Sequence, residues 1–362
     1  MKLYYISCKK NWGSGIRNKI NNHIKYFESQ GFETEYLSIQ FDNLSLLRLL
    51  LPFLPLYNYK ILNCIEKNSL CYIRYNGIDI RGIFKLRQLK KRGVIIYVEI
   101  PTFPYDGEVK HNFIFYKDRI MRNCLSRYVE KILTYSDDSS VFGINCINIS
   151  NFVDFTKILP RKSKKFNNTL NLVAVATLAF WHGYDRVIEG LYNYYKDANN
   201  KNIVKFHLVG NGPILEHYVE IVKKYGIEEY VIFYGEQSGK DLDQIYDLCD
   251  IAIDSLGRHR SKIFYNSSLK GKEYMAKGFP IISGVKTELD QLNNYPYYYR
   301  VPANDEPLNI NAIYLFYKKI YSESDCQKVI SAITSTAQSM FNIEISMKPL
   351  IDDIRRCINS DK

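Results

Sequence analysis

Strand-like and helix-like segments alternate along this chain, the alternation breaks once, and it then restarts. Residues 2–7 read as a strand, 15–30 as a helix and 33–39 as a strand. Further strands fit 70–75, 94–100 and 131–135, with a basic helix over 81–92. A rhythm of this kind specifies parallel sheets covered by helices. The segment 160–165 is rich in Pro and Lys and reads as a linker. After it come a buried strand at 170–177, a helix at 185–195, a strand at 203–209, a helix at 214–225, a strand at 230–234, a helix at 240–248 and a strand at 251–255. With 362 residues the chain exceeds what one core usually supports, so two Rossmann-like domains are expected, over 1–158 and 166–344.

Charge narrows the partners. Lys and Arg number 49 against 38 Asp and Glu, a net charge of +11. Such an excess favours an anionic partner, a nucleotide or an acidic membrane surface, unless the lysines are simply solvated. The basic residues are dispersed and no recognition module is visible, so nucleic acid is not expected. The eight cysteines are scattered, with no Cys-x-x-Cys and no His at zinc-ligand spacing, which points to reduced thiols and no metal site. The apolar run 3–6, ahead of Lys9 and Lys10, is too short for a secretory leader, so a cytoplasmic protein is expected. The most apolar stretch, 44–56, is broken by Arg48, Pro52 and Pro55 and falls short of the roughly 20 residues a membrane span needs. It fits either the first domain's core or an interfacial helix on the inner membrane face.

In tandem α/β domains, ligands collect outside the carboxyl ends of the strands, which makes the cleft between domains the expected site. Trp12, Gly13, Ser14 and Gly15 sit between the first strand and the first helix. There the glycines of the run, Gly13 and Gly15, either let backbone N–H groups approach a phosphate or make a tight turn. A helix over 269–276 carries Lys270 and Glu273 and stops at Gly278 and Pro280. Arg258, Arg260 and Lys262 follow a strand end, where guanidinium groups suit phosphate through paired hydrogen bonds.

The segment 267–284, Ser-Ser-Leu-Lys-Gly-Lys-Glu-Tyr-Met-Ala-Lys-Gly-Phe-Pro-Ile-Ile-Ser-Gly, resembles the donor-binding signature of glycosyltransferase family 4. The likeness continues through Val209-Gly210-Asn211-Gly212-Pro213, Trp181-His182-Gly183-Tyr184-Asp185-Arg186, Tyr135-Ser136 and Asn151-Phe152-Val153-Asp154. It implies a GT-B fold, an acceptor-side first domain facing a donor-side second domain across a cleft, and a terminal helix, about 345–362, returning to the first. It implies a retaining, metal-independent transferase using a UDP- or GDP-sugar, with a glycan or lipid-linked acceptor, in surface polysaccharide synthesis. Carried over, Glu273 holds the ribose hydroxyls, Gly13, Gly15, Thr177, His182, Asn211, Arg260 and Lys262 line the donor, and Glu99 stands at the acceptor side, with Asp106 and His111 as lesser candidates. Arg258 and Lys270 would stabilise the leaving diphosphate without a metal.

Two departures stand out. The family's first glutamate is replaced by Tyr265, and its usual phosphate-binding Arg and Lys correspond to Thr177 and His182. These keep two rivals open: a catalytically silent nucleotide-sugar-binding protein, and a sugar-nucleotide epimerase of related fold.

Overall fold

The computed structural model describes residues 1–8, 14–41, 57–107, 113–200 and 202–360. It divides into two compact units, Met1–Ile149 with Met347–Lys362, and Ser150–Ser346. No helix among the described residues is long and apolar enough to cross a membrane.

Unit 1 is built on a sheet of order β3-β2-β1-β4-β5-β6-β8-β7. Its strands are β1 (Lys2–Cys8), β2 (Glu33–Phe41), β3 (Tyr57–Asn58), β4 (Leu70–Arg74), β5 (Ile95–Ile100), β6 (Lys131–Thr134), β7 (Ser140–Val141) and β8 (Ile144–Asn148). Among the described residues only the pairs β2–β3 and β7–β8 are antiparallel. Because β1 lies inside the sheet and both faces are covered, Tyr4, Tyr5 and Ile6 are all fully buried, and the strand reads as one apolar run rather than as alternation. Helices α1 (Ser14–Ser29), α2 (Ile80–Lys91) and α3 (Phe113–Met121) connect the strands. Asp79 caps α2 by accepting from the Gly82 N–H at 2.8 Å.

Unit 2 holds an all-parallel sheet of order β11-β10-β9-β12-β13-β14. Its strands are β9 (Thr169–Val175), β10 (Ile203–Val209), β11 (Val231–Gly235), β12 (Ile251–Ile253), β13 (Ile281–Ser283) and β14 (Tyr298–Arg300). Between them run α4 (Asp185–Lys196), α5 (Leu215–Tyr225), α6 (Gly239–Leu248) and α7 (Leu269–Ala276), followed by α8 (Ile310–Tyr321) and α9 (Cys326–Phe341). The chain builds outward from β9 to β11 and then returns to the other side of β9 with β12. That reversal creates a crevice at the carboxyl ends of β9 and β12.

The unit boundary falls at Ile149, ahead of the Pro- and Lys-rich segment, because the residues after it are held by unit 2: the Asn151 N–H donates to Ser267 Oγ at 2.9 Å and the Val153 N–H to the Phe341 carbonyl at 3.0 Å. The last helix, α10 (Ile343–Ser360), begins ahead of Pro349 and carries the chain back into unit 1. There Met347, Leu350, Ile351 and Ile354 are buried and Asp353 accepts from Tyr97 Oη at 3.0 Å. The two ends of unit 2 meet, with Ser150 Oγ 2.9 Å from Ser346 Oγ.

Candidate functional site

At the carboxyl edge of the unit 2 sheet, glycines bring the loop backbones together. A Cβ on Gly210, where φ is +126°, would stand 1.9 Å from the Ala176 carbonyl oxygen, so the loop after β10 presses directly on the loop after β9. The Leu178 N–H donates across to the Asn211 carbonyl at 2.7 Å. On the other side of the crevice Gly183, with φ +65°, leaves no room for a side chain against the Gly257 N–H. The Leu256 N–H donates to the His182 carbonyl at 2.7 Å.

Arg186 fixes this arrangement from beneath. Its fully buried guanidinium donates to the carbonyls of Leu256 and Glu306, both at 2.7 Å, and to Asn304 Oδ1 at 3.1 Å. A charge so placed is tolerated because each of its three faces meets an acceptor.

Within the frame lies a cluster of charged and polar side chains. Lys270, on the first turn of α7, donates to Tyr184 Oη at 3.0 Å and lies 3.4 Å from Asp254 Oδ1. Burial pushes its ammonium down to about 8; Asp254 opposes that shift and Arg258 adds to it. Asp254 also accepts from Ser268 Oγ at 2.7 Å, and the same Oγ accepts from the Gly271 N–H, capping α7. His182 Nδ1 accepts from the Ala179 N–H at 3.0 Å, so the neutral ring carries its proton on Nε2. Burial, then Lys270 and Arg258, hold His182 well below the usual imidazole range. Its ring stacks on Tyr184 with centroids 5.5 Å apart, while the Arg258 guanidinium lies 5.8 Å from the Trp181 ring centre. Lys270 and Arg258, with Asp254 balancing one of the two charges, thus lie near the neutral His182 ring in partly dehydrated surroundings, a set with one positive charge in excess that suits an anionic group such as a diphosphate.

Glu273 lies one turn along α7 from Lys270. Its side chain is open to solvent, yet the surrounding protein raises its carboxyl above the usual value, with Lys277 opposing. Thr177 and Asn211 are exposed on the loops after β9 and β10, and Asn211 Oδ1 accepts from the Gly212 N–H at 2.7 Å.

Other expected site residues are placed differently. Arg260 forms paired bonds to Asp185 at 2.9 and 2.6 Å, donates to Asp305 at 2.7 Å and to the Phe180 carbonyl at 3.0 Å. Its charge is met by two carboxylates, so it fastens the turn Arg258–Ser261 to α4 rather than offering a free cation. Lys262 is exposed, with φ +60°, and Tyr265 is half-buried in a bridge with Lys286. Gly15 lies in the first turn of α1, where an added Cβ would meet nothing within 4 Å, whereas Gly13, His111 and the stretch 44–56 lie outside the described residues.

Glu99 is not at the surface where the expected acceptor-side role would put it. It is wholly buried in unit 1, accepting from Tyr72 and Tyr135 at 3.0 Å each, paired with Arg74 and 3.4 Å from Lys19. Burial pushes the carboxyl up, but Arg74 and Lys19 outweigh it and hold the group well below the usual carboxylate range. So placed, the carboxylate has no accessible surface to offer an acceptor. Asp106 is likewise engaged, bound to Arg122 at 2.7 and 3.1 Å.

Sequence reading missed Asp254, Ser268, Tyr184 and Arg186. Ser268 carries a visible signal, a capping residue directly ahead of the helix. Asp254 ends a strand of Ile-Ala-Ile, the edge at which this fold places polar ligands.

Residues 155–286, the stretch that carries these loops, match the family model "Glycosyl transferases group 1". No curated protein matches the chain. Among solved structures, the chain is similar to HepE of Anabaena in complex with UDP, at 14% identity and a TM-score of 0.64 over 99% of this chain and 100% of that one. It is similar to the lipopolysaccharide outer core galactosyltransferase WaaB, at 16% identity and 0.63 over 98% and 99%. The sucrose-phosphate synthase of Thermosynechococcus elongatus matches at 12% identity and 0.64 over 100% of both chains. The fold is GT-B, two α/β units with parallel sheets.

Proposed function

We propose that this chain is a glycosyltransferase of the family 4 type that moves a sugar from a nucleotide sugar to a glycan or lipid-linked acceptor, with retention at the anomeric carbon. The observation that carries the reading is the cluster of Lys270, Arg258 and His182, with the exposed Glu273 one turn along the same helix as Lys270, within the stretch that matches the family model. UDP is the first donor base to test, since it is bound to HepE.

In the proposed step the acceptor hydroxyl oxygen attacks the anomeric carbon on the face the diphosphate leaves. The bond from that carbon to the phosphate oxygen breaks with its electron pair on the phosphate. The acceptor's proton passes to that same oxygen. With Glu99 locked in its ion cluster, this path needs no protein carboxylate, and Lys270, Arg258 and the His182 N–H stabilise the charge that develops on the diphosphate.

Glu273→Ala is expected to weaken UDP-sugar binding by at least about ten-fold in calorimetry, since a carboxylate accepting from ribose hydroxyls contributes roughly 1.5–3 kcal/mol per charged hydrogen bond. Because the residue is exposed, its melting temperature should not move. Unchanged donor affinity would remove Glu273 from the donor site. Turnover is expected to persist in EDTA, because the two cations supply the charge a metal would bring. Activity lost in EDTA and restored by Mg2+ or Mn2+ would overturn that division of labour.

One observation favours a second reading. Tyr265 stands where the resemblance places the glutamate beside the transferred sugar. A nucleotide-sugar-binding protein without turnover would show donor affinity and no product with any acceptor.

The setting we infer is surface polysaccharide synthesis at the inner membrane face. Its support is the net charge of +11 and the apolar stretch 44–56.

A further inference from the structure

We propose that unit 1 seats on an anionic lipid bilayer through the groove between the turn Tyr59–Cys64 and α2. This rests on the membrane reading above, not on the transferase one, and assigns that reading a surface. The groove has a volume of about 310 Å3 and is lined by Lys60, Arg81 and Lys85, with Tyr57, Tyr59 and Phe84 as aromatic walls. Among the described residues no carboxylate lines it. Lys85 donates only to the neutral side chains of Asn63, at 2.6 Å, and Gln88, at 3.0 Å, and none of the three cations forms an ion pair among the described residues.

The positive charge extends along the helix. α2 carries Arg81, Lys85, Arg87, Lys90 and Lys91 and no acidic residue, and of these Lys90 is partnered, by Glu130 at 3.3 Å. Apolar side chains stand among the cations: Phe84 is 53% exposed and Ile61, on the facing turn, 39%. The neighbouring helix α3 exposes Tyr116 and Ile120.

Charge complementarity decides the occupant. Uncompensated cations draw the surface to anionic headgroups, while Phe84 and Ile61 enter the acyl boundary, where their exposure to water ends. A nucleic acid or an acidic protein face would satisfy the cations and leave the aliphatic Ile61 without a partner.

The test is flotation of the full chain with vesicles of phosphatidylcholine alone and of equal parts phosphatidylcholine and phosphatidylglycerol. Wild type is expected to float with the anionic vesicles only, and less as salt rises. Arg81→Glu with Lys85→Glu should reduce the bound fraction at least roughly ten-fold, and Phe84→Ser should reduce it with its salt dependence unchanged. All these side chains are surface groups, and unchanged UDP-sugar affinity serves as the check that each variant is folded. If the double variant floats as well as wild type while Leu50→Glu does not, the membrane reading stands and the groove is overturned. If wild type stays unbound at low salt, both are overturned and the transferase reading is untouched. Binding of a single-stranded oligonucleotide without flotation would replace the lipid by nucleic acid and overturn the proposal.

Discussion

Replacing Glu99 by glutamine is expected to lower the melting temperature by roughly 10 °C, because it leaves buried cations without their counter-charge. Removing one partner of a buried ion pair costs about 3–5 kcal/mol, and each kcal/mol moves a unit of this size by about 2–4 °C. The two cations respond differently. Lys19, which burial has already pushed down to about 7 against the pull of Glu99, can give up its proton when the carboxylate is lost. Arg74 cannot, and keeps its charge in a buried site with only 7% of its surface exposed. Removing the second charge as well, in Glu99→Gln with Arg74→Met, should recover much of the loss. The pH dependence has a definite sign. A carboxyl whose folded value is depressed adds stability that is fully present above its unfolded value of about 4.3 and is lost as pH falls toward the folded one. The variant should therefore show a shallower loss of stability in acid than wild type. A variant that melts like wild type and has lost turnover would return Glu99 to the acceptor-side chemistry.

Lys270→Gln is expected to lower kcat by about 10²–10³-fold, the usual effect of removing one preorganised charge stabiliser. The glutamine amide retains donors for Tyr184 and Asp254, which separates loss of the cation from loss of packing. Because burial holds the ammonium near 8, the free protein loses this charge as pH rises past that value. kcat/KM in wild type should therefore fall on the basic side near pH 8. A bound diphosphate raises the lysine's value, so the corresponding limb in kcat should lie at higher pH. Lys270→Arg should keep part of the activity and lose the basic limb, since guanidinium does not titrate there. Activity within about three-fold of wild type in Lys270→Gln would assign the diphosphate to Arg258 and the loop backbone instead.

How legible the protein is from its sequence depends on the range over which each feature is determined. The strand Ile203–Val209 and the helix Leu269–Ala276 follow from local signals, apolar residues alternating with Lys205 and His207 in one case and the stop at Gly278 and Pro280 in the other. Glu99 escapes a local reading because its partners come from elsewhere: the β4–β5 register sets Arg74 beside it, and Lys19 reaches it from α1. Arg260 does so for the same reason, since Asp185 lies on another helix. The β7–β8 hairpin is hidden because its turn, Phe142 and Gly143 with φ of +51° and +75°, lacks the Asn-Gly pair that usually announces two consecutive left-handed residues. Glu273 and Lys270 are visible because a local motif carries them; the Asp254–Ser268 support beneath Lys270 is not, since its members meet only once β12 and α7 are packed.

The path of the chain out of unit 1 and back has a consequence for its gene. No uninterrupted reading frame encodes unit 1: a stop codon after Ile149 discards α10, leaving Tyr97 without Asp353 and baring the surface that Met347, Leu350, Ile351 and Ile354 cover. Codons 150–346, by contrast, form one continuous cassette. Since Ser150 and Ser346 lie within hydrogen-bonding distance, at 2.9 Å, deleting that cassette and splicing codon 149 to 347 through a few glycines restores unit 1 as a single open frame.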